Sequence, residues 1–204
     1  MVDGVLYFNT PLSQAVAVDA TTGETLWVNN PKSYEEGTTT MTGTWRQRGV
    51  AYWTDGAGDN RILWGTGNGY LVCADAQTGR PCPDFGPSGN GMVDTMEGVP
   101  RANRGERDYL NALLWGIHSP PIVVRDRVIH GSHVADRRIT KEAIPGWVRA
   151  WDVRTGEHAW DFHTVPNSAD EYGADTWLNE SWRYSGNANV WSMLAGDNEL
   201  GMVY

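Results

Sequence analysis

The chain has 204 residues, enough to bury the core of one ordinary domain, and its 24 Gly and 10 Pro with few helix-length stretches point to β structure with many tight turns. A formal net charge of −9 argues against nucleic acid, whose phosphates need a basic face, and no run of 18 apolar residues exists to span a membrane. Trp outnumbers Phe by 11 to 3; an indole buries a large apolar area while its N–H still seeks an acceptor, so the surplus suits a fold that docks indoles at repeated sites.

Met1 is followed by Val-Asp-Gly, without a basic or an apolar leader region, so no signal peptide is expected. The segment Val2-Asp-Gly-Val-Leu-Tyr-Phe8 then reads as a turn entering a short hydrophobic strand. After it, Ala17-Val-Asp-Ala-Thr-Thr-Gly23 ends a second strand in a turn, and Gly23-Glu-Thr-Leu-Trp27 opens a third. Asp can bond the turn backbone and Gly permits a positive φ at the corner. The same pair returns as Asp59-Asn-Arg-Ile-Leu-Trp-Gly65 and Cys73-Ala-Asp-Ala-Gln-Thr-Gly79, but Pro81-Cys-Pro83 stands where the Trp would fall. A third copy runs through Val124-Arg-Asp-Arg-Val-Ile-His-Gly131 and Ala150-Trp-Asp-Val-Arg-Thr-Gly156, followed by Gly156-Glu-His-Ala-Trp160. Asp197-Asn-Glu-Leu-Gly-Met-Val-Tyr204 looks like the opening of a fourth.

One such unit cannot bury both faces of its sheet, so copies must stack. Asp19, Asp75 and Asp152 lie 56 and 77 residues apart, an unevenness that suits a propeller with long loops better than a tight solenoid. The Gly-rich, charged insertions Pro87 to Leu114 and Arg137 to Gly146 read as those loops. Cys73 and Cys82 have neither CxxC spacing nor a His partner, so they read as free or bridged thiols and not as a metal or redox site.

The repeat Ala-x-Asp-x-x-Thr-Gly-x-x-x-Trp resembles the tryptophan-docking motif of quinoprotein dehydrogenases, which depend on pyrroloquinoline quinone (PQQ). Further segments resemble that family in order: Arg48-Gly-Val-Ala-Tyr-Trp53, Gly65-Thr-Gly-Asn-Gly-Tyr-Leu71, Ser119-Pro-Pro-Ile-Val-Val124, Gly146-Trp-Val-Arg-Ala-Trp-Asp152 and Asn187-Ala-Asn-Val-Trp191. Arg80-Pro-Cys-Pro-Asp-Phe-Gly86 and Met92-Val-Asp94 resemble the branch with membrane-bound glucose dehydrogenases and related sugar, polyol and alcohol enzymes. The methanol-dehydrogenase branch carries adjacent cysteines where this chain has Thr40-Met-Thr-Gly-Thr-Trp45. The resemblance implies an all-β chain, about three blades of an eight-bladed β-propeller, with residues 1–204 a fragment of one propeller domain and roughly a third of an enzyme.

It implies PQQ and a divalent cation, usually Ca²⁺, as cofactors. A flat tricarboxylated quinone needs cations and hydrogen-bond donors at its rim and an aromatic surface on its face. Arg48 matches the family arginine that clamps PQQ, and a guanidinium offers two parallel donors to a carboxylate. Trp191 matches the tryptophan that stacks on the ring, with Asn189 beside it in the same motif. Ser132 and His118 stand where the family bonds PQQ carboxylates by hydroxyl groups; His118 replaces the usual Thr, and an imidazolium could serve instead. Asp136 stands where the family supplies a cation ligand, and carboxylate oxygen suits Ca²⁺. His133 is a neighbour without an assigned role, and Asp175-Thr-Trp177 with Glu180 forms an acidic-aromatic cluster that a surface loop explains equally well.

The catalytic base, an Asp by resemblance, is expected beyond Tyr204, so no catalytic residue is assigned within this chain. The implied reaction oxidises a sugar, polyol or alcohol hydroxyl, with electrons passed to ubiquinone or a cytochrome, in the periplasm. The alternatives are a cofactor-free propeller acting as an assembly scaffold, and a degenerate quinoprotein that binds PQQ without turnover. A scaffold would keep the docking turns but has no use for Arg48-Gly-Val-Ala-Tyr or Asn187-Ala-Asn-Val-Trp191.

Overall fold

A computed structural model describes residues 1–36, 46–102, 115–134 and 141–204. Its architecture is a succession of small antiparallel sheets. The first sheet holds β1 (Val5–Asn9), β2 (Ala15–Asp19) and β3 (Thr25–Asn29). The second holds β4 (Ala51–Thr54), β5 (Asn60–Gly65), β6 (Tyr70–Asp75) and β7 (Met92–Asp94). A two-stranded ribbon follows, of β8 (Trp115–Gly116) with β11 (His133–Val134), and between them in sequence lie β9 (Ile122–Val124) and β10 (Arg127–His130). These last two join β12 (Val148–Asp152) and β13 (His158–Phe162) in the third sheet, ordered β13-β12-β10-β9. The pair β14 (Gly196–Asp197) and β15 (Met202–Val203) opens a fourth unit, as its sequence suggests.

The repeated turn is built as its residues predict. Asp19 Oδ1 accepts the backbone N–H groups of Thr21 at 2.8 Å and Thr22 at 2.7 Å, and the Gly23 N–H closes onto the Asp19 carbonyl at 2.8 Å. Asp152 does the same for Arg154 and Thr155, and Asp75 for Thr78. These bonds use donors that the corner would otherwise leave unpaired.

Alternation then stacks the sheets face to face. Along β5 and β6, Ile62, Trp64, Val72 and Ala74 meet Tyr7, Ala15 and Trp27 of the first sheet. The intervening Leu63, Leu71 and Cys73 meet Val128 and Trp151 of the third. A strand with a two-residue period thereby buries both faces, and the second sheet is the centre of the described core. The third sheet's other face carries Ile129, Val148 and Ala150 against Val190, Leu194 and Val203.

The docking indole sits between sheets. Trp27 donates its Nε1–H to the Ala76 carbonyl at 3.0 Å and lies over Gly79, the corner of the next sheet's turn. A Cβ at Gly79 would come 2.5 Å from Trp27 Cδ2, so the corner must be glycine for space as well as for its φ of +70°. The second sheet lacks the Trp, and there Phe85 and Val93 press on Gly156 in its place, while the Gly86 N–H bonds the Thr155 carbonyl at 2.8 Å.

Two expectations change. β7 falls inside the stretch Pro87 to Leu114 read as loop; three residues are too few for a periodic signal, yet Met92–Asp94 pairs with β6 and supplies Val93 to the core. Cys73 and Cys82, left open as free or bridged, form a disulfide that ties β6 to the loop where the indole is missing. Buried arginines brace the stack. Arg61 pairs with Asp59 and Asp84 and donates to the Arg154 carbonyl at 2.7 Å, and Arg149 pairs with Asp161 and reaches the Thr95 and Glu97 carbonyls. At the two outer sheets the away-facing apolar side chains are exposed: Leu6, Phe8, Leu26 and Val28 on one, Trp160 and Phe162 on the other.

Candidate functional site

Four segments meet beyond the ends of the second and third sheets. Residues 46–49 lead into β4, His118 and Ser119 lie between β8 and β9, residues 131–134 carry β11, and residues 187–191 approach from the chain's last irregular stretch. Close backbone approach fixes them. Gly131 has the Val190 carbonyl against it and Gly146 has Asn189, with no room for a Cβ at either glycine. The Asn187 N–H bonds the Ile144 carbonyl at 3.0 Å, and the Asn189 side-chain amide donates to the Ser132 carbonyl at 2.7 Å. Behind β8 and β11 an apolar cluster of Met96, Val99, Trp115, Val134, Ile144 and Trp147 holds the ribbon in place.

Arg48 is the hub. Its backbone N–H bonds the His118 carbonyl at 3.1 Å. Its Nη1 donates to Ser119 Oγ at 3.1 Å and to the Trp191 carbonyl at 3.0 Å, and its guanidinium lies 5.3 Å from the Trp191 ring centroid. Among the described residues Nε and Nη2, the side-on edge of the fork, carry no hydrogen bond. Trp191 itself is 58% exposed, an unusual fraction for an indole, and its ring offers an open face.

His118 is arranged for neutrality. His118 is buried and stacks on His133 with ring centroids 4.4 Å apart. Burial first, then His133 and the Arg48 and Arg46 guanidiniums, push its pKa down to about 3. The imidazolium expected at His118 is therefore not the form present near neutral pH: a further positive charge would be desolvated beside two arginines. Neutral His118 has one ring N–H to donate. Ser132 is buried, and its Oγ has no hydrogen-bond partner among the described residues.

The structure thus brings Arg48, His118, Ser132, Asn189 and Trp191 together. Asp136, with Arg137 and Arg138, lies outside the described residues, as does the Thr40–Trp45 stretch. Among the described residues no group of three or more His, Cys, Asp or Glu could hold a metal. Glu180 is engaged with Arg183 at 2.9 Å on the surface, which accounts for it as a solvated loop. Sequence reasoning missed Ser119; the Ser-Pro-Pro run was read as a family segment, without a task for its hydroxyl.

The donor set suits a planar polyanion. Among the described residues it offers a guanidinium edge without a hydrogen bond, a buried hydroxyl without a partner and an exposed indole face, with the guanidinium lying over the indole.

Comparison with known proteins gives the family. The family model described as PQQ: Glucose/ethanol/alcohol dehydrogenase, beta-propeller domain matches residues 1–204. The quinohemoprotein alcohol dehydrogenase ADH IIB of Pseudomonas putida is 30% identical, over 99% of this chain and 26% of its own length. The glycerol dehydrogenase large subunit of Gluconobacter thailandicus is 28% identical, over 98% of this chain and 25% of its own. Among solved structures, the quinohemoprotein alcohol dehydrogenase ADHIIG from Pseudomonas putida HK5 superposes with a TM-score of 0.70 at 27% identity, covering 100% of this chain and 27% of that one. The chain spans about a quarter of the length of the curated relatives it matches.

Proposed function

This chain belongs to the PQQ glucose/ethanol/alcohol dehydrogenase β-propeller family, and on that premise we propose that it supplies one wall of the PQQ site of a quinoprotein dehydrogenase. The observation that carries the reading is the Arg48–Trp191 pair: a guanidinium whose Nε and Nη2 have no hydrogen bond among the described residues, beside an indole with an open face. In this reading residues 1–204 are a segment of one propeller domain.

Arg48 holds a PQQ carboxylate through its free edge, two parallel charge-assisted bonds that fix orientation as well as position. Trp191 would offer its indole face to the quinone, and Asn189, anchored to the Ser132 carbonyl, sets the course of the chain into it. Ser132 Oγ would gain the partner it lacks among the described residues, with neutral His118 beside it at the rim. A divalent cation, Ca²⁺ in the reading from sequence, would take Asp136 as one oxygen ligand. When bound, PQQ supplies a quinone carbonyl that accepts hydride from the substrate carbon, with the cation polarising that carbonyl. The substrate is a small hydroxyl compound (alcohol, polyol or sugar), and ubiquinone or a cytochrome takes the electrons, in the periplasm. A cofactor-free scaffold would need the docking turns but neither the free guanidinium edge nor the unpaired serine.

The test is reconstitution of the full-length protein in its apo form with PQQ and Ca²⁺, followed by dye reduction with short alcohols, polyols and sugars. Turnover that needs both additions and collapses in Arg48→Ala and Trp191→Ala supports the assignment. PQQ uptake without turnover would mark a degenerate quinoprotein, and no uptake at high Ca²⁺ would mark a scaffold.

A further inference from the structure

We propose that Ser119 is a positioning residue whose hydroxyl locks the Trp191 main chain and the Arg48 guanidinium into one rigid unit. The inference deepens the reading above and rests on it.

The geometry is a closed triangle. Ser119 Oγ donates to the Trp191 carbonyl at 2.5 Å, Arg48 Nη1 donates to the same carbonyl at 3.0 Å, and Arg48 Nη1 also reaches Ser119 Oγ at 3.1 Å. A hydroxyl that donates one bond and accepts another has its rotor fixed, and a carbonyl taking two donors uses both its lone pairs. The partners come from distant parts of the chain: Ser119 is 71 residues from Arg48 and 72 from Trp191.

Val190 and Leu194 pack on the third sheet, but Trp191 between them lies outside any strand or helix and is 58% exposed. Among the described residues, these two are the hydrogen bonds that reach the main chain from Val190 to Leu194 from elsewhere in the chain. Ser119, by contrast, is held stiffly. It precedes Pro120 and Pro121, so its backbone is confined to the extended region. A Cβ built on Gly49 would come 3.5 Å from Pro120 Cβ, so the two segments run side by side, and the preceding carbonyl, that of His118, is bonded by the Arg48 N–H. A rigid hydroxyl therefore meets a carbonyl that no strand or helix holds, and through it the angle of the indole. The free edge of Arg48 is oriented by the same contact, since Nη1 is the atom engaged.

The experiment compares wild type, Ser119→Ala and Ser119→Thr in the full-length protein, with two readouts. In the apo form, amide hydrogen exchange is followed in peptides covering residues 185–195. With PQQ and Ca²⁺ added, the dissociation constant of PQQ and the absorption spectrum of the bound quinone are measured. Ser119→Ala is expected to speed exchange in 185–195 while other peptides and the thermal midpoint stay put. It is also expected to weaken PQQ binding by about tenfold, the scale of one lost hydrogen bond, and to shift the bound spectrum. Ser119→Thr, which keeps the hydroxyl on an extended backbone, should restore both.

Unchanged exchange in Ser119→Ala overturns the lock. Faster exchange with unchanged PQQ affinity and spectrum overturns the positioning role. A Ser119→Thr protein that behaves like Ser119→Ala shows that the hydroxyl is not the acting group. If wild type takes up no PQQ, the functional reading falls and the exchange arm still decides the lock by itself.

Discussion

Trp151 donates its indole N–H to His130 Nε2 at 3.0 Å in the buried interior of the third sheet. His130 Nδ1 lies 2.8 Å from the Gly131 carbonyl, so the ring donates there and accepts from Trp151, which settles its tautomer. Burial, chiefly, holds its pKa near 4. The pair ties a docking-repeat residue to the strand that runs into Ser132. Trp151→Phe should leave Nε2 buried without a donor and destabilise the full-length protein by roughly 1–3 kcal/mol. Denaturant titration near neutral pH checks this; an unchanged midpoint would mean the ring nitrogen finds another donor.

Gly79→Ala should cost more than an ordinary surface-turn substitution. The new Cβ meets the face of Trp27, and φ at this corner is +70°. Overpacking of this kind costs roughly 1–3 kcal/mol before backbone strain is added. The same change at Gly23, which has nothing within 4 Å of a built Cβ, meets strain alone. A thermal-shift comparison of the two variants separates the contributions, and equal losses would show that Trp27 is not pinned there.

Ser132→Ala separates stability from binding. The hydroxyl is buried and has no partner among the described residues, so its removal from the apo protein should be neutral or stabilising by up to about 1 kcal/mol. PQQ affinity should fall about tenfold if the hydroxyl is a rim contact. Calorimetry with apo and PQQ-loaded protein reads both, and a destabilised apo form would point to a structural role instead.

Acid should weaken the protein through His118. Its folded pKa is about 3 against an ordinary 6.5, because it is buried beside His133, Arg48 and Arg46. Below 6.5 the unfolded chain takes up a proton that the folded one refuses, so stability is full above that value and falls as pH drops towards 3. His118→Gln should therefore lose less stability than wild type between about pH 6.5 and 5, measured by urea midpoints. His130 titrates in the same sense, so the slope should shrink without vanishing.

Much of this was readable in the residues because it is local. Asp19, Asp75 and Asp152 bond the backbone two or three residues ahead, which spacing alone encodes. Arg48 and Trp191 carried their family motifs with them and were placed side by side. What was hidden depends on distance in sequence or on burial. The Cys73–Cys82 bridge requires knowing that the Pro81–Pro83 loop folds back on β6. Phe85 and Val93 stand in for an absent indole at Gly156, a replacement visible only once the sheets are stacked. The neutral state of His118 follows from enclosure, and enclosure has no local signature.

The exposed faces of the outer sheets have a consequence for anyone who makes these 204 residues by themselves. Leu6, Phe8, Leu26 and Val28 form one surface, Trp160 and Phe162 belong to another, and the two are different. Pairing of one surface with the other surface of a second copy would be head-to-tail. Such a contact cannot stop at a two-fold dimer; it closes into a ring when the rotation between copies divides the circle evenly, and otherwise grows as a helical filament.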